Sequence, residues 1–229
     1  MKKNSKRYKE LLKFSTKGKK VDLKEIINLF KKTSTAKFDE SIDISLKINL
    51  KQSKGGDFNL RTVVKLPEGT GKKTIVAVLC EPDKVEEAKK SGAEIVGAED
   101  LIEKISAGKF EFNKLICTPS MMGKLGKHGK VLGPKGLMPN PKLGTVSTDI
   151  KKSVQDIKNG LVEVKNDKDG NIGLTIGRKS FASEKILNNY NFFIDSIKKE
   201  RPDTMKGELI KNIYLTSSMG ISYKIGGKI

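Results

Sequence analysis

The sequence is poor in the residues that most often carry chemistry. One histidine, His128, and two cysteines, Cys80 and Cys117, occur among 229 residues. Two thiols and one imidazole make neither a disulfide framework nor a zinc set. Both cysteines lie in apolar stretches, 76–80 and 115–117, and read as small core hydrophobes of a reducing cytosol. No run approaches the roughly 20 apolar residues of a membrane-spanning helix. Residues 1–7 are basic, but no apolar segment follows as a secretory leader requires. The expectation is a cytoplasmic protein with no membrane partner, metal or cofactor. Acid is also scarce, with 27 Asp and Glu against 46 Lys and Arg, a net charge of +19. A field of that sign attracts polyanions, nucleic acid foremost, although a lysine-rich genome produces the same excess with no partner at all.

Patterning divides the chain. Residues 1–20 carry nine basic residues and one acid, Glu10, a run expected to be solvated or docked on phosphate. Asp22 and Glu25 form a capping-box pattern ahead of Leu23, Ile26, Ile27 and Phe30 at helical spacing. Residues 41–50 alternate aliphatic and polar positions, predicting a strand with one wet face. Its expected partner is 60–66, across a loop containing Gly55 and Gly56. From 74 to 156 the style changes to a continuous apolar strand (74–79), a helix (82–90), a strand (94–96), a helix (99–107) and a strand (114–117). That alternation predicts a parallel-sheet α/β unit. Beyond 160, segments 161–165 and 172–176 flank an Asp169-Gly170 turn and read as a hairpin. A helix over 181–200 and a strand over 210–216 follow. The economical architecture is an α/β domain (68–159) inserted into an α+β domain (1–67 with 160–229). The two crossings near 67–72 and 158–160 would form a hinge at Pro67, Gly69, Gly71 and Gly160.

Residues 121–142 are the densest motif, with five glycines, five lysines, three prolines and no acid. The prolines predict a stiff, ordered loop. Neither Gly71-Lys72 nor Gly126-Lys127 is followed by Ser or Thr, so a phosphate-binding loop fails in detail. An RNA contact and a purely structural loop remain open, as does a weakly supported nucleotide cradle. The stretch 167–171 fails as a calcium loop, because Ile172 stands where glycine is required and Arg178 where a carboxylate is. No catalytic triad or paired-carboxylate motif can be picked out. Two places suit a folded RNA. One puts Lys37 and Phe38 before the first alternating strand. The other puts Thr216, Ser217, Ser218, Met219 and Gly220 at the end of the last one. Hydroxyls suit phosphate and ribose, an aromatic or thioether packs on sugars and bases, and glycine permits close approach. A core phenylalanine and an ordinary turn are the competing explanations. An enzyme holding a phosphorylated substrate in the Gly/Lys-rich segment, and a DNA-binding protein, are the rival functions.

The segments 118–123 and 132–146, beginning Thr118-Pro119-Ser120-Met121-Met122-Gly123 and Leu132-Gly133-Pro134-Lys135-Gly136, closely resemble the signature of the bacterial ribosomal protein L1 family. Residues 36–40, 66–72 and 164–168 resemble further family segments in the right order. The resemblance implies a discontinuous RNA-binding domain with a mostly antiparallel, split β-α-β sheet. It also implies an inserted Rossmann-like, three-layer α/β domain without a nucleotide. The implied function is that of a non-enzymatic constituent of the large ribosomal subunit. Such a protein binds the stalk of 23S rRNA, assists movement and release of deacylated exit-site tRNA, and represses translation from its own operon mRNA. The implied state off the ribosome is a monomer without a small-molecule substrate. Implied RNA contacts are Lys37, Phe38 and 216–220, with Lys165, Asn166 and Lys168 in a basic hairpin. The chain departs from the pattern at Ser218, Ile221 and Gly173, where the family has threonine, proline and, often, histidine.

Overall fold

A computed structural model describes residues 5–16, 18–50, 59–108, 110–202, 205 and 207–226; Gly55 and Gly56 lie outside them. Among the described residues the order is α1 (Lys6–Leu12), β1 (Lys20–Val21), α2 (Leu23–Thr33), β2 (Ser41–Ile48), β3 (Arg61–Lys65), β4 (Val76–Leu79), α3 (Val85–Lys90) and β5 (Ile95–Gly97). Then come α4 (Glu99–Ser106), β6 (Lys114–Cys117), α5 (Pro119–Gly126), α6 (Gly129–Leu132) and α7 (Ile150–Lys158). The chain finishes with β7 (Leu161–Lys165), β8 (Asn171–Arg178), α8 (Ser183–Lys199), β9 (Ile210–Ser217) and β10 (Ser222–Ile225). It is a mixed α/β protein that separates into two compact units, 1–71 with 163–229 and 72–162.

The first unit is organised by a five-stranded sheet in the order β1-β10-β9-β2-β8. Strand β2 runs antiparallel to both neighbours. Its Ile42, Ile44, Leu46 and Ile48 are buried, while Ser41, Asp43, Ser45 and Lys47 face outward, the pleat that a two-residue period demands. Helices α2 and α8 cover the inner face. Their buried residues (Ile26, Ile27, Phe30; Ile186, Phe193, Ile197) recur at helical spacing. Phe30 meets Tyr223 of β10 edge to face, ring centroids 5.6 Å apart.

Three local expectations change. Strand β3 does not pair with β2; it forms a two-stranded ribbon with β7, because both edges of β2 are already occupied by β8 and β9. Strands β7 and β8 consequently enter different sheets. Their tight turn survives, through Gly170 N–H to Asp167 O and Asp167 N–H to Asn171 O, but it joins two sheets and closes no hairpin ladder. Asp22 does occupy the N-cap of α2, yet its side chain makes no capping bond.

The second unit has a parallel sheet in the order β5-β4-β6. Strand β4 is buried at all four positions, as a strand covered on both faces must be. Ala77, Leu79, Leu115 and Cys117 pack with Leu101, Ile105, Met121, Leu125 and Leu132. Val76, Val78 and Ile116 pack with Ala88, Ile150, Val154 and Ile157. The expected stiff loop over 121–142 is largely helical, comprising most of α5, all of α6 and a 3-10 turn (Pro141–Leu143). The anchors Met121, Leu125 and Leu132 are buried at helical spacing. Burial against the sheet outweighs the poor helix propensity of the intervening glycines. No helix among the described residues is long and apolar enough to cross a membrane.

Candidate nucleic-acid interface

Two loops meet where β2 begins and β9 ends, and Glu40 joins them. Its side chain is fully buried. Oε1 accepts from the Ala36 N–H at 3.2 Å and Oε2 from the Met219 N–H at 3.2 Å. A buried carboxylate is tolerated only when its lone pairs are filled, so Glu40 fixes loop 34–40 against loop 218–220. Lys179 reinforces the first loop: its N–H donates to Glu40 O at 2.8 Å and its Nζ to Ser34 O. The loops then present their apolar side chains to solvent, Phe38 at 55% and Met219 at 51% exposure. Phe38 is no core residue.

Around this pair the site is polar. Lys37 and Ser218 are exposed, Thr216 and Gly220 half-buried, and Ser217 buried. Gly220 lies so close to Ser217 that an added Cβ would fall 2.1 Å from Oγ. Any side chain there would require Ser217 to rotate. Asp39 faces the other flank, accepting from the Ser180 N–H at 3.0 Å and the Ser180 hydroxyl at 2.8 Å, with Arg178 Nη1 at 3.6 Å. Burial pushes the Asp39 carboxyl up, but these donors and the guanidinium outweigh it and hold the group below its ordinary 3.8.

The second group of expected residues lies elsewhere. Six residue steps along β2 lead from Ser41, paired with Arg178 and near Ser218, to Lys47, paired with Asn171, roughly 20 Å at the rise of an extended strand. There Asp167 shapes the turn. Its Oδ1 accepts from the Asp169 and Asn171 N–H groups at 3.0 and 2.6 Å, and its Oδ2 from Asn171 Nδ2 at 2.9 Å. The Asn171 donors are foremost in holding this carboxyl low. Lys165 and Lys168 are exposed. Both ends of the Asn166 amide are engaged within the protein, Oδ1 with Leu60 N–H and Nδ2 with Asp167 O.

Between the two groups runs the wet face of the sheet, which sequence reading had not assembled. Ser45 lies between Tyr214 and Gly173, and Lys47 between Asn212 and Asn171. These residues, with Lys165 and Asn166, line a groove of about 860 Å³. The polar half of the alternation over 41–50 was the available signal, but its cross-strand neighbours are set by long-range pairing. Glu40 was missed as an organiser because an acid in a basic chain gives no sequence sign of burial.

The expected hinge residues are placed separately. Asn189 of α8, fully buried, accepts from Glu68 N–H at 3.1 Å and donates to Gly69 O at 2.9 Å and Ile176 O at 2.8 Å. Gly71 has φ +71°, and an added Cβ would stand 2.9 Å from the Phe181 ring. Pro67, Gly69 and Gly71 thus belong to the first unit's packing. Gly160, φ +94°, follows α7 in the second. No group of three or more metal-ligating side chains occurs among the described residues.

Residues 30–221 match the model of the Ribosomal protein L1p/L10e family. The chain is 56% identical to the large ribosomal subunit protein uL1 of Pelagibacter ubique over 223 residues, 96% of each chain. It is 44% identical to uL1 of Thermosipho melanesiensis, over 98% of this chain and 97% of that one. The uL1 of Mycoplasma capricolum is 46% identical, over 98% and 99%.

Proposed function

The chain belongs to the ribosomal protein L1p/L10e family, and from that premise we propose that it is a structural, non-enzymatic component of the large ribosomal subunit whose first unit grips the stalk of 23S rRNA. The observation that carries the site is the Glu40 junction, which holds exposed Phe38 and Met219 on two pinned loops. Exposed apolar side chains on ordered backbone suit packing on sugars and bases, and hydroxyls at Thr216 and Ser218 suit phosphate and 2′-OH groups. Lys37, Lys165 and Lys168 supply charge at both ends of the sheet, and Asn166 shapes the second turn. The net charge of +19 supports a polyanionic partner.

The protein works in the cytoplasm on the ribosome, assists movement and release of deacylated exit-site tRNA, and represses its own operon mRNA by the same surface. The 1–67/160–229 unit binds RNA and the 68–159 unit is a Rossmann-like insert, with a hinge at the two crossings. Filter binding of the protein to a 23S stalk fragment and to a scrambled RNA of equal composition tests the core of this reading. Expected is a clear preference for the stalk fragment and a steep loss of affinity with salt, as released counterions require. Equal affinity for both RNAs would overturn it.

A further inference from the structure

The N-terminal helix reaches into the loop junction through a single side chain. Arg7 of α1 donates from Nε to Thr35 Oγ1 at 2.9 Å and from Nη2 to Met219 O at 3.2 Å. The same Nη2 lies 3.9 Å from Glu40 Oε1. Three acceptors on two loops, far apart in sequence, thus meet one planar guanidinium. An arginine offers donors in a fixed fork, whereas a lysine offers a compact charge that cannot span the same set. Helix α1 is capped by Ser5, whose Oγ accepts from the Tyr8 N–H at 3.2 Å, and is seated through buried Leu11. The helix therefore brings the guanidinium to the junction from a seated backbone.

Resting on the RNA reading above, we propose that Arg7 is a positioning residue of the RNA site, locking loop 34–40 and loop 218–220 in register so that Phe38 and Met219 are presented together. Two observations favour this over a role as one more basic residue of the N-terminal run. The Arg7 side chain is 36% exposed, and its guanidinium bonds protein carbonyl and hydroxyl groups. Its buried partner Glu40 also gains a countercharge, which a carboxylate removed from water requires. Arg7 lies before residue 30, where the match to the family model begins, so this contribution is additional to the matched region.

The test uses the full-length protein with Arg7→Ala, Arg7→Lys and, as a charge control, Lys9→Ala, exposed on the same helix. Affinities are measured for the 23S stalk fragment and the scrambled RNA, and the Met219 methyl, assigned with Met219→Leu, is followed by NMR in the free protein. Expected is about a tenfold loss on the stalk fragment for both Arg7 variants, the scale of charge-assisted hydrogen bonds. The Met219 methyl should move in both. Lys9→Ala should weaken both RNAs by the same small factor and leave the methyl in place. If Arg7→Lys binds like wild type, or the methyl stays fixed in the Arg7 variants, the positioning role is overturned while the RNA reading stands. If wild type itself binds the two RNAs alike, the RNA reading falls and this inference falls with it.

Discussion

Ser41 and Ser218 face each other across the start of β2 and the loop after β9, hydroxyl oxygens 2.9 Å apart. The Ser41 N–H donates to Ser218 Oγ at 3.1 Å, and the Ser218 N–H to Ser41 O at 3.1 Å. Ser218 thus extends the ladder one residue past the sheet. Ser218→Ala should cost about 1 kcal/mol of stability, the net worth of such bonds. Ser41→Ala combined with it should show coupling in a double-mutant cycle of about 0.5–1.5 kcal/mol. Urea denaturation measures both; additive effects would deny the pairing.

Glu40 is the costlier position. Glu40→Ala strands the Ala36 and Met219 amides and removes the partner of Arg7, so about 2–4 kcal/mol of stability should be lost. Hydrogen exchange at residues 36 and 219 should accelerate in the same variant. Unchanged protection at both amides would show that other contacts hold the loops.

Phe38→Ala and Met219→Ala should behave in the opposite way. Both side chains are about half exposed, so stability should change by no more than about 0.5 kcal/mol. Specific RNA affinity should fall by about 1–3 kcal/mol, the scale of lost stacking. A stability loss equal to the binding loss would assign them to the fold instead.

Acid should loosen the same region. The Asp39 carboxyl is held below 3.8 in the folded protein, so its contribution is present above the unfolded value and disappears as pH falls through the folded one. Wild type should exceed Asp39→Asn in urea midpoint at neutral pH, and the gap should close as pH falls through the lowered value of the folded carboxyl. A gap independent of pH would mean that the carboxylate's charge is irrelevant to the loop.

Asn189→Ala removes the acceptor of Glu68 N–H and the donor to Gly69 O and Ile176 O in a buried setting. The expected cost is about 2–4 kcal/mol. Limited proteolysis should open the chain near residues 67–71 first. Cleavage elsewhere at unchanged rate would locate the weak point differently.

Sequence alone revealed what periodicity encodes. The wet face of β2, the doubly buried β4 and the inner faces of α2 and α8 follow from alternation or helical spacing. It misassigned what depends on who pairs with whom. The partner of β3 and the divergence of β7 from β8 are decided by competition for the edges of β2, and no local signal records that competition. The stretch 121–142 misled because its prolines and glycines carried more weight than Met121, Leu125 and Leu132. At the candidate site, Phe38 and Met219 were legible as residue types in suggestive company. Glu40 and Arg7 were not, because their roles exist only once loops distant in sequence touch.

The sheet beside the candidate site joins early and late segments: Lys20 and Val21 of β1 pair with Lys224 and Ile225 of β10, and β2 lies between β8 and β9. During synthesis the 72–162 unit, contiguous in sequence, emerges whole and can fold as domains do on the ribosome. Strand β2 gains one neighbour when β8 has been made and the other only when β9 follows. The junction of loops 34–40 and 218–220 therefore cannot exist on a growing chain that stops short of Met219, whose amide Glu40 must receive.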